Sequence, residues 1–253
     1  DDEFLRAVAG EAERLDLGIH IHAAETVEQT RASVEARGLT PIQVLDETGV
    51  LGRPTILAHC CGATPEDIRL MAARRCGVAH APKTYLKLGM GAAPVVTLRE
   101  AGVPVGLATD GPVSNNTLDV LESMRLMALV AKHTSRDPRQ LTLGQALTIA
   151  TRDSARVVGL PDDIGHLAPG FLADVILVDL GGPHHQPVHN PPASLVYSAR
   201  ASDVRTVICD GQVLMRDRQL LTLDKDEIIG RVGEGMARLS RRVPESRIQL
   251  YRP

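Results

Sequence analysis

Apolar positions along the first 158 residues alternate between a helical rhythm and short continuous runs. Phe4, Leu5, Val8, Ala12 and Leu15 recur at helical spacing and predict a helix over 2–16. A β-rich run follows, Gly18-Ile19-His20-Ile21-His22. Residues 26–37 read as a helix, opened by Thr26 with Gln29 three positions later, the spacing of a capping box. Thr55-Ile56-Leu57-Ala58-His59 predicts a second strand, and Thr64 is placed to cap a helix over 65–75. Gly77-Val78-Ala79-His80 is the third strand, followed by a helix over 93–101. Val103 to Asp110 is the fourth, followed by helices over 117–132 and 143–158.

Four short apolar strands separated by helices predict parallel βαβ units. After residue 160 the texture changes. Ile164 to Asp174 leads into the strand Val175–Asp179. Val204–Cys209 and Gln212–Met215 flank Asp210-Gly211 and predict a hairpin. These strands belong to a separate small sheet, and the Pro- and His-rich stretch 181–192 reads as a loop. Residues 224–242 predict an amphipathic helix with Ile228, Ile229, Val232, Met236 and Leu239 on one face. The expected organisation is therefore 1–160 as one α/β unit, 161–218 as β-rich, and 219–253 as a C-terminal helix and tail.

Each of the four parallel strands ends in or runs directly into an ionisable residue: His22, His59, His80 and Asp110. Ligands bind at the carboxyl ends of strands in parallel α/β folds. A single such histidine is more often a satisfied structural residue, and Asp110-Gly111 alone reads as a turn. Four in succession are not explained that way. His22-Ala23-Ala24-Glu25 adds a carboxylate three residues beyond a histidine, placed to move a proton on a substrate. A neutral imidazole at His22 can bind a divalent metal.

Composition narrows the alternatives. The 253 residues carry 28 basic and 31 acidic side chains, a net charge of −3, so there is no basic surplus to neutralise a nucleic-acid backbone. No Trp, three Tyr and two Phe offer little for stacking on bases. Gly89-Met90-Gly91 lacks the third glycine of a dinucleotide fingerprint, and a helix-start role near substrate suits it better. No apolar run approaches the ~20 residues needed to span a bilayer. Asp1-Asp2-Glu3 lacks the basic and apolar regions of a signal peptide, and Cys60, Cys61, Cys76 and Cys209 have no zinc-knuckle or Cys-x-x-Cys spacing. Reduced thiols in a cytoplasmic protein are expected.

The motifs His20-Ile21-His22-Ala23-Ala24-Glu25-Thr26, Leu57-Ala58-His59-Cys60, Leu86-Lys87-Leu88-Gly89-Met90-Gly91, Thr109-Asp110-Gly111 with Ser114-Asn115-Asn116, and Leu167 to Asp174 together resemble the amidohydrolase superfamily. The likeness covers nearly the whole chain. It is to the C-terminal half of enzymes in the branch of cytosine, guanine, S-adenosylhomocysteine and triazine aminohydrolases. Leu195-Val196-Tyr197-Ser198-Ala199 and Leu221-Thr222-Leu223-Asp224 look most like 5′-methylthioadenosine/S-adenosylhomocysteine deaminases.

The resemblance implies an α/β fold, the C-terminal half of a (β/α)8 TIM barrel (strands 5–8), with part of a small β-sandwich and a C-terminal helix. It implies one divalent metal, zinc or alternatively iron, held by His22 and Asp110. Glu25, His59 and Asp110 would be catalytic, with Glu25, His59 and His80 contacting the substrate. The implied reaction is hydrolytic deamination of an amino-substituted aromatic heterocycle, such as a 5′-substituted adenosine. The alternatives are a triazine, pterin or guanine aminohydrolase or chlorohydrolase, and a non-catalytic fragment of the fold. Two departures stand out. The family's first-strand His-x-His is absent, which leaves fewer than the about three protein ligands of catalytic zinc sites. Thr84-Tyr85 stands where the family often has Ser-Asn. The partners expected are a small heterocycle, water, the missing barrel half in the same gene product or a second chain, and further copies of the protein.

Overall fold

The computed structural model describes residues 1–242. Two sheets organise them. The first contains β1 (Ile19–Ala23), β2 (Thr55–His59), β3 (Gly77–His80) and β4 (Val105–Leu107), paired in that order and all parallel. Its register sets Ala23 beside His59, Ala58 beside Ala79, and His80 beside Leu107. The carboxyl ends of the strands therefore lie along one rim.

The intervening helices form where side chains satisfy their first amides. Thr26 caps Val27–Arg37 by accepting from the Gln29 amide, while Gln29 reaches back to the Glu25 amide. Thr64 and Asp67 form a reciprocal capping box on Pro65–Ala73, and Asp67 also receives the Thr40 hydroxyl from the neighbouring helix cap. Leu57, Val78, Val105, Met71, Leu98, Met124 and Met127 join one continuous core between the sheet and these helices.

The second sheet is antiparallel, with β5 (Val175–Val178), β6 (Val204–Cys209), β7 (Gln212–Arg216) and β8 (Gln219–Leu220) in sequence order. The expected hairpin forms, and Asp210 and Gly211 both take the positive φ that a tight two-residue turn favours.

Several boundaries differ from expectation. The fourth strand is only three residues long. Pro104 has no amide to donate, and by Asp110 the backbone has turned to positive φ. The helix expected over 117–132 runs Val120–Ser135, because Asp119 caps it by accepting the Glu122 amide. The helix expected over 143–158 forms as Leu143–Thr148 and Ser154–Val157 joined by a π-helical segment, Ile149–Asp153. Ser154 thereby reaches β4 and accepts the Leu107 amide (2.9 Å), on the edge that no strand covers among the described residues.

Pro41–Glu47, Pro82–Leu88 and Pro191–Tyr197 are additional helices, the last beginning inside the stretch read as loop. Each starts at a proline, whose missing amide costs nothing at a helix's first position. The C-terminal helix runs Lys225–Arg242, with Ile229 and Val232 about 60% exposed. Its amphipathic pattern is present and its apolar face has no cover among the described residues. The tail expected after residue 242 lies outside them.

Candidate active site

Three of the four ionisable residues at the strand ends converge. His22, His59 and Asp110 each offer a ligand atom, and these atoms lie within 4.8 Å of one another. The His22 and His59 rings are 4.9 Å apart between centroids. The backbone turns sharply at these points: Ala24, His59, Cys60 and Asp110 all have positive φ. Such conformations are uncommon for non-glycine residues and concentrate at functional sites. Here they end the strands and direct the side chains toward one point.

The loops carrying the site are locked together. After β2, the Gly62 amide donates to the Ala24 carbonyl (2.8 Å), and the Thr30 hydroxyl donates to the Gly62 carbonyl (2.9 Å). A Cβ at Gly62 would lie 2.3 Å from the Thr26 carbonyl oxygen, so only glycine lets the two loops approach this closely. The segment bearing His22 and Glu25 is thus fixed against the end of the strand bearing His59.

His59 is 2% exposed, and neither ring nitrogen has a hydrogen-bond partner among the described residues. Burial pushes its imidazole below the usual range, with the Glu25 carboxylate pulling the other way. A neutral, buried imidazole with both nitrogens unpaired is costly unless a ligand engages it. Burial works to raise the Asp110 carboxyl. The Gly111 amide, the Ser114 hydroxyl and the Thr84 hydroxyl outweigh it and hold the group below the ordinary range. The Gly111 amide donates to Asp110 Oδ1 at 2.7 Å and Thr84 Oγ1 to Oδ2 at 3.2 Å. Two imidazoles and an ionised carboxylate are a fitting donor set for a divalent metal such as zinc.

Glu25 is half-buried beside this group, near enough for its charge to act on His59. His80 does not join the cluster. It is 2% exposed, lies edge-on to Tyr85 (5.3 Å between centroids), and burial pushes its imidazole down to about 3. Tyr85 stands between the two histidines, 5.7 Å from His59, and its phenol oxygen accepts the Ala81 amide (2.9 Å). The site is therefore backed by Tyr85, with His80 behind it. Thr84 and Tyr85 depart from the family pattern, and their sequence does not record that Thr84 anchors Asp110 and Tyr85 packs edge-on against His59. A proline-initiated helix directly after β3 was the available signal.

The model of the amidohydrolase family matches residues 1–214. The chain is 45% identical over 246 residues to the 5-methylthioadenosine/S-adenosylhomocysteine deaminase of Desulforudis audaxviator (strain MP104C), covering 96% of this chain and 56% of that protein. It is 40% identical to the 5′-deoxyadenosine deaminase of Methanothermobacter thermautotrophicus, covering 90% and 53%. Among solved structures, an adenosine deaminase from Xanthomonas campestris with bound zinc superposes with a TM-score of 0.90 at 32% identity, over 95% of this chain and 55% of that one. An atrazine chlorohydrolase from Arthrobacter aurescens TC1 complexed with zinc gives 0.83 at 30%, over 92% and 52%. The chain spans about half the length of the curated relatives it matches. With the motifs, the rim of strand-end residues and these likenesses in agreement, the chain belongs to the amidohydrolase family.

Proposed function

We propose that this chain is the C-terminal half of a metal-dependent aminohydrolase acting on a 5′-substituted adenosine such as 5′-methylthioadenosine or S-adenosylhomocysteine. The observation that carries the reading is the convergence of His22, His59 and Asp110 within 4.8 Å at the ends of parallel strands. The deaminase relatives supply the substrate class. The four-stranded parallel sheet, open at β1 and β4, is read as strands 5–8 of a (β/α)8 barrel within residues 1–160. Residues 161–218 are read as part of a sandwich. Ile176 and Leu177 on β5, each about half exposed, fit a sheet that further strands would cover. The other barrel half belongs to the same gene product or to a second chain. The reading places the enzyme in the cytoplasm and allows self-association.

His22 and Asp110 would hold the metal, zinc by preference because two similar solved structures carry zinc, and His59 lies within reach of the same ion. When bound, the metal lowers the pKa of water from 15.7 to about 7 and so makes it a nucleophile at neutral pH. Asp110, kept ionised by its three donors, accepts the proton of the attacking water. Glu25 protonates a ring nitrogen, which draws electron density from the carbon bearing the amine. Water oxygen bonds to that carbon while His59 steadies the charge that develops there. The proton held on Asp110 then passes to the departing amine; as the C–N bond breaks and ammonia leaves, the adduct's hydroxyl gives its proton back to Glu25 and the C=O bond forms. His80 is kept as a candidate substrate contact, packed edge-on against Tyr85.

A second reading, a triazine hydrolase, is favoured by the likeness to atrazine chlorohydrolase. The same residues would then expel chloride or an amine. Ammonia and chloride release by the full-length protein should be compared across both adenosine derivatives, 5′-deoxyadenosine, guanine, a pterin and a chlorotriazine. The highest kcat/KM is expected for an adenosine derivative. A higher value for guanine, a pterin or a triazine would overturn the substrate class and leave the hydrolase, whereas no turnover of any of them would favour a non-catalytic module.

A further inference from the structure

A second group of ligand-bearing side chains lies on the antiparallel side of the chain, away from the residues of the proposed mechanism. His184 and His185 occupy a short 3-10 turn, Pro183–His185, beyond β5, and Asp203 ends the turn Ala201–Asp203 that leads into β6. Their ligand atoms also fall within 4.8 Å of one another. His184 Nε2 is 3.0 Å and His185 Nε2 3.2 Å from the same oxygen, Asp203 Oδ2. Donor atoms around a tetrahedral zinc with bonds of about 2.0–2.2 Å are separated by roughly 3.3–3.5 Å. A shift of a few tenths of an ångström would admit the ion.

The hydrogen bonding is lopsided as it stands. The Arg200 amide also donates to Asp203 Oδ2, at 2.9 Å. Three nitrogens therefore converge on one oxygen that offers about two lone-pair sites, whereas no hydrogen bond reaches Oδ1 among the described residues. A cation between the two imidazoles and the carboxylate would relieve this. Each Nε2 would present a lone pair to the ion, and Oδ2 would keep only the Arg200 amide and the ion.

The surroundings are built for a fixed arrangement. The His185 side chain is fully buried. At Gly182 a Cβ would lie 2.8 Å from the His184 ring, so a side chain there would displace the imidazole. The Asp179 amide donates to the Asp203 carbonyl (2.8 Å), and Gln186 Nε2 closes the loop on the Leu180 carbonyl (3.0 Å). The His184 side chain remains 30% exposed, which gives the ion a way in and leaves a position for water.

We propose that His184, His185 and Asp203 form a second metal site, taking a borderline divalent cation such as Zn²⁺ and pinning the loop after β5 to the turn before β6. The site is independent of the substrate reading. Two neutral imidazoles and one carboxylate favour zinc over magnesium or calcium, which prefer all-oxygen shells.

The test uses the full-length protein and zinc itself as probe. After dialysis, His22→Ala protein should retain about one zinc per chain, and the His22→Ala/His184→Asn double variant essentially none. His184→Asn alone should leave turnover unchanged, because the residue is remote from the proposed chemistry. Added zinc should raise the Tm of the His22→Ala variant and not that of the double variant, a readout independent of the stoichiometry. Equal zinc content and equal zinc-dependent Tm in the two variants would overturn the proposal and leave a hydrogen-bonded clasp only. Full turnover in the His22→Ala variant with the second zinc intact would count against the proposed function and not against this site.

Discussion

Thr84, near the start of the helix after β3, donates its hydroxyl to Asp110 Oδ2 from a position 26 residues earlier in the chain. Thr84 is completely buried, and the opposite carboxylate oxygen is held by the Gly111 amide. Both oxygens of Asp110 are therefore oriented before any ligand arrives. Such anchoring counts in catalysis because a misplacement of about 1 Å can cost on the order of 10²-fold.

Replacing Thr84 with valine keeps the shape and removes this donor. A hydrogen bond to a charged group contributes about 1.5–3 kcal/mol, so kcat in the complete enzyme should fall roughly ten- to a hundredfold. Thr84→Ser should restore most of it. The Asp110 carboxyl should also titrate higher in the valine variant, shifting the acidic limb of the pH–kcat profile upward. A profile and rate equal to wild type would remove Thr84 from the site.

Glu25→Gln should retain metal and lose turnover. Glutamine preserves size and hydrogen bonding but carries no exchangeable acid proton for the ring. Loss of a general acid typically costs 10²–10⁴-fold. A rate within about threefold of wild type, measured as ammonia release, would exclude Glu25 from proton transfer.

Chelation should abolish turnover, and zinc should restore it. His22→Ala and Asp110→Ala should each lower the metal content associated with activity, because each removes one of three convergent ligands. Elemental analysis beside the activity assay checks this, with unchanged content in both variants as the contrary result.

The rim of the site was legible in the sequence because of one local regularity: each apolar run ended in His22, His59, His80 or Asp110. Strand geometry turns that regularity into proximity, since parallel strands in register place their ends together. His80 shows the limit of the pattern. It ends β3 like its counterparts, yet Tyr85 stands between it and His59. Thr84's role depends on a contact across 26 residues through a short proline-started helix, and no periodicity records such a contact. The length of β4 was overestimated because the apolar run continues where the backbone has left the sheet. The amphipathic pattern of 225–242 was readable as a helix, but which surface it meets is not written in its own spacing.

Gly62 offers a test of the loop lock that holds the first two strand ends together. An added Cβ would meet the Thr26 carbonyl at 2.3 Å and Thr30 Oγ1 at 2.6 Å, the first a backbone atom that cannot swing away. Gly62→Ala should destabilise the protein by about 1–3 kcal/mol, the usual cost of overpacking. The backbone shift would reach Ala24 through the Gly62 amide, so turnover should fall more than stability alone explains. Denaturant melts and kcat measured well below the transition separate the two effects.

The four cysteines provide a final check on burial. Cys60, Cys61 and Cys76 are buried, whereas Cys209 is exposed at the end of β6. Burial pushes the Cys61 thiol up to about 12 and the Cys76 thiol to about 11, and raises Cys60 further. The thiolate is the reactive form, so these three should resist iodoacetamide in the native protein on two grounds, access and protonation. At Cys209 the Asp174 carboxylate beside it also raises the thiol, so its labelling should be slow near neutral pH and quicken as pH rises. Intact mass after native labelling should show a single modification at Cys209 among this chain's cysteines, and four after denaturation. Native modification of Cys61 would place it open to solvent and contradict the packing of Tyr85 and Cys61 behind the His59 ring.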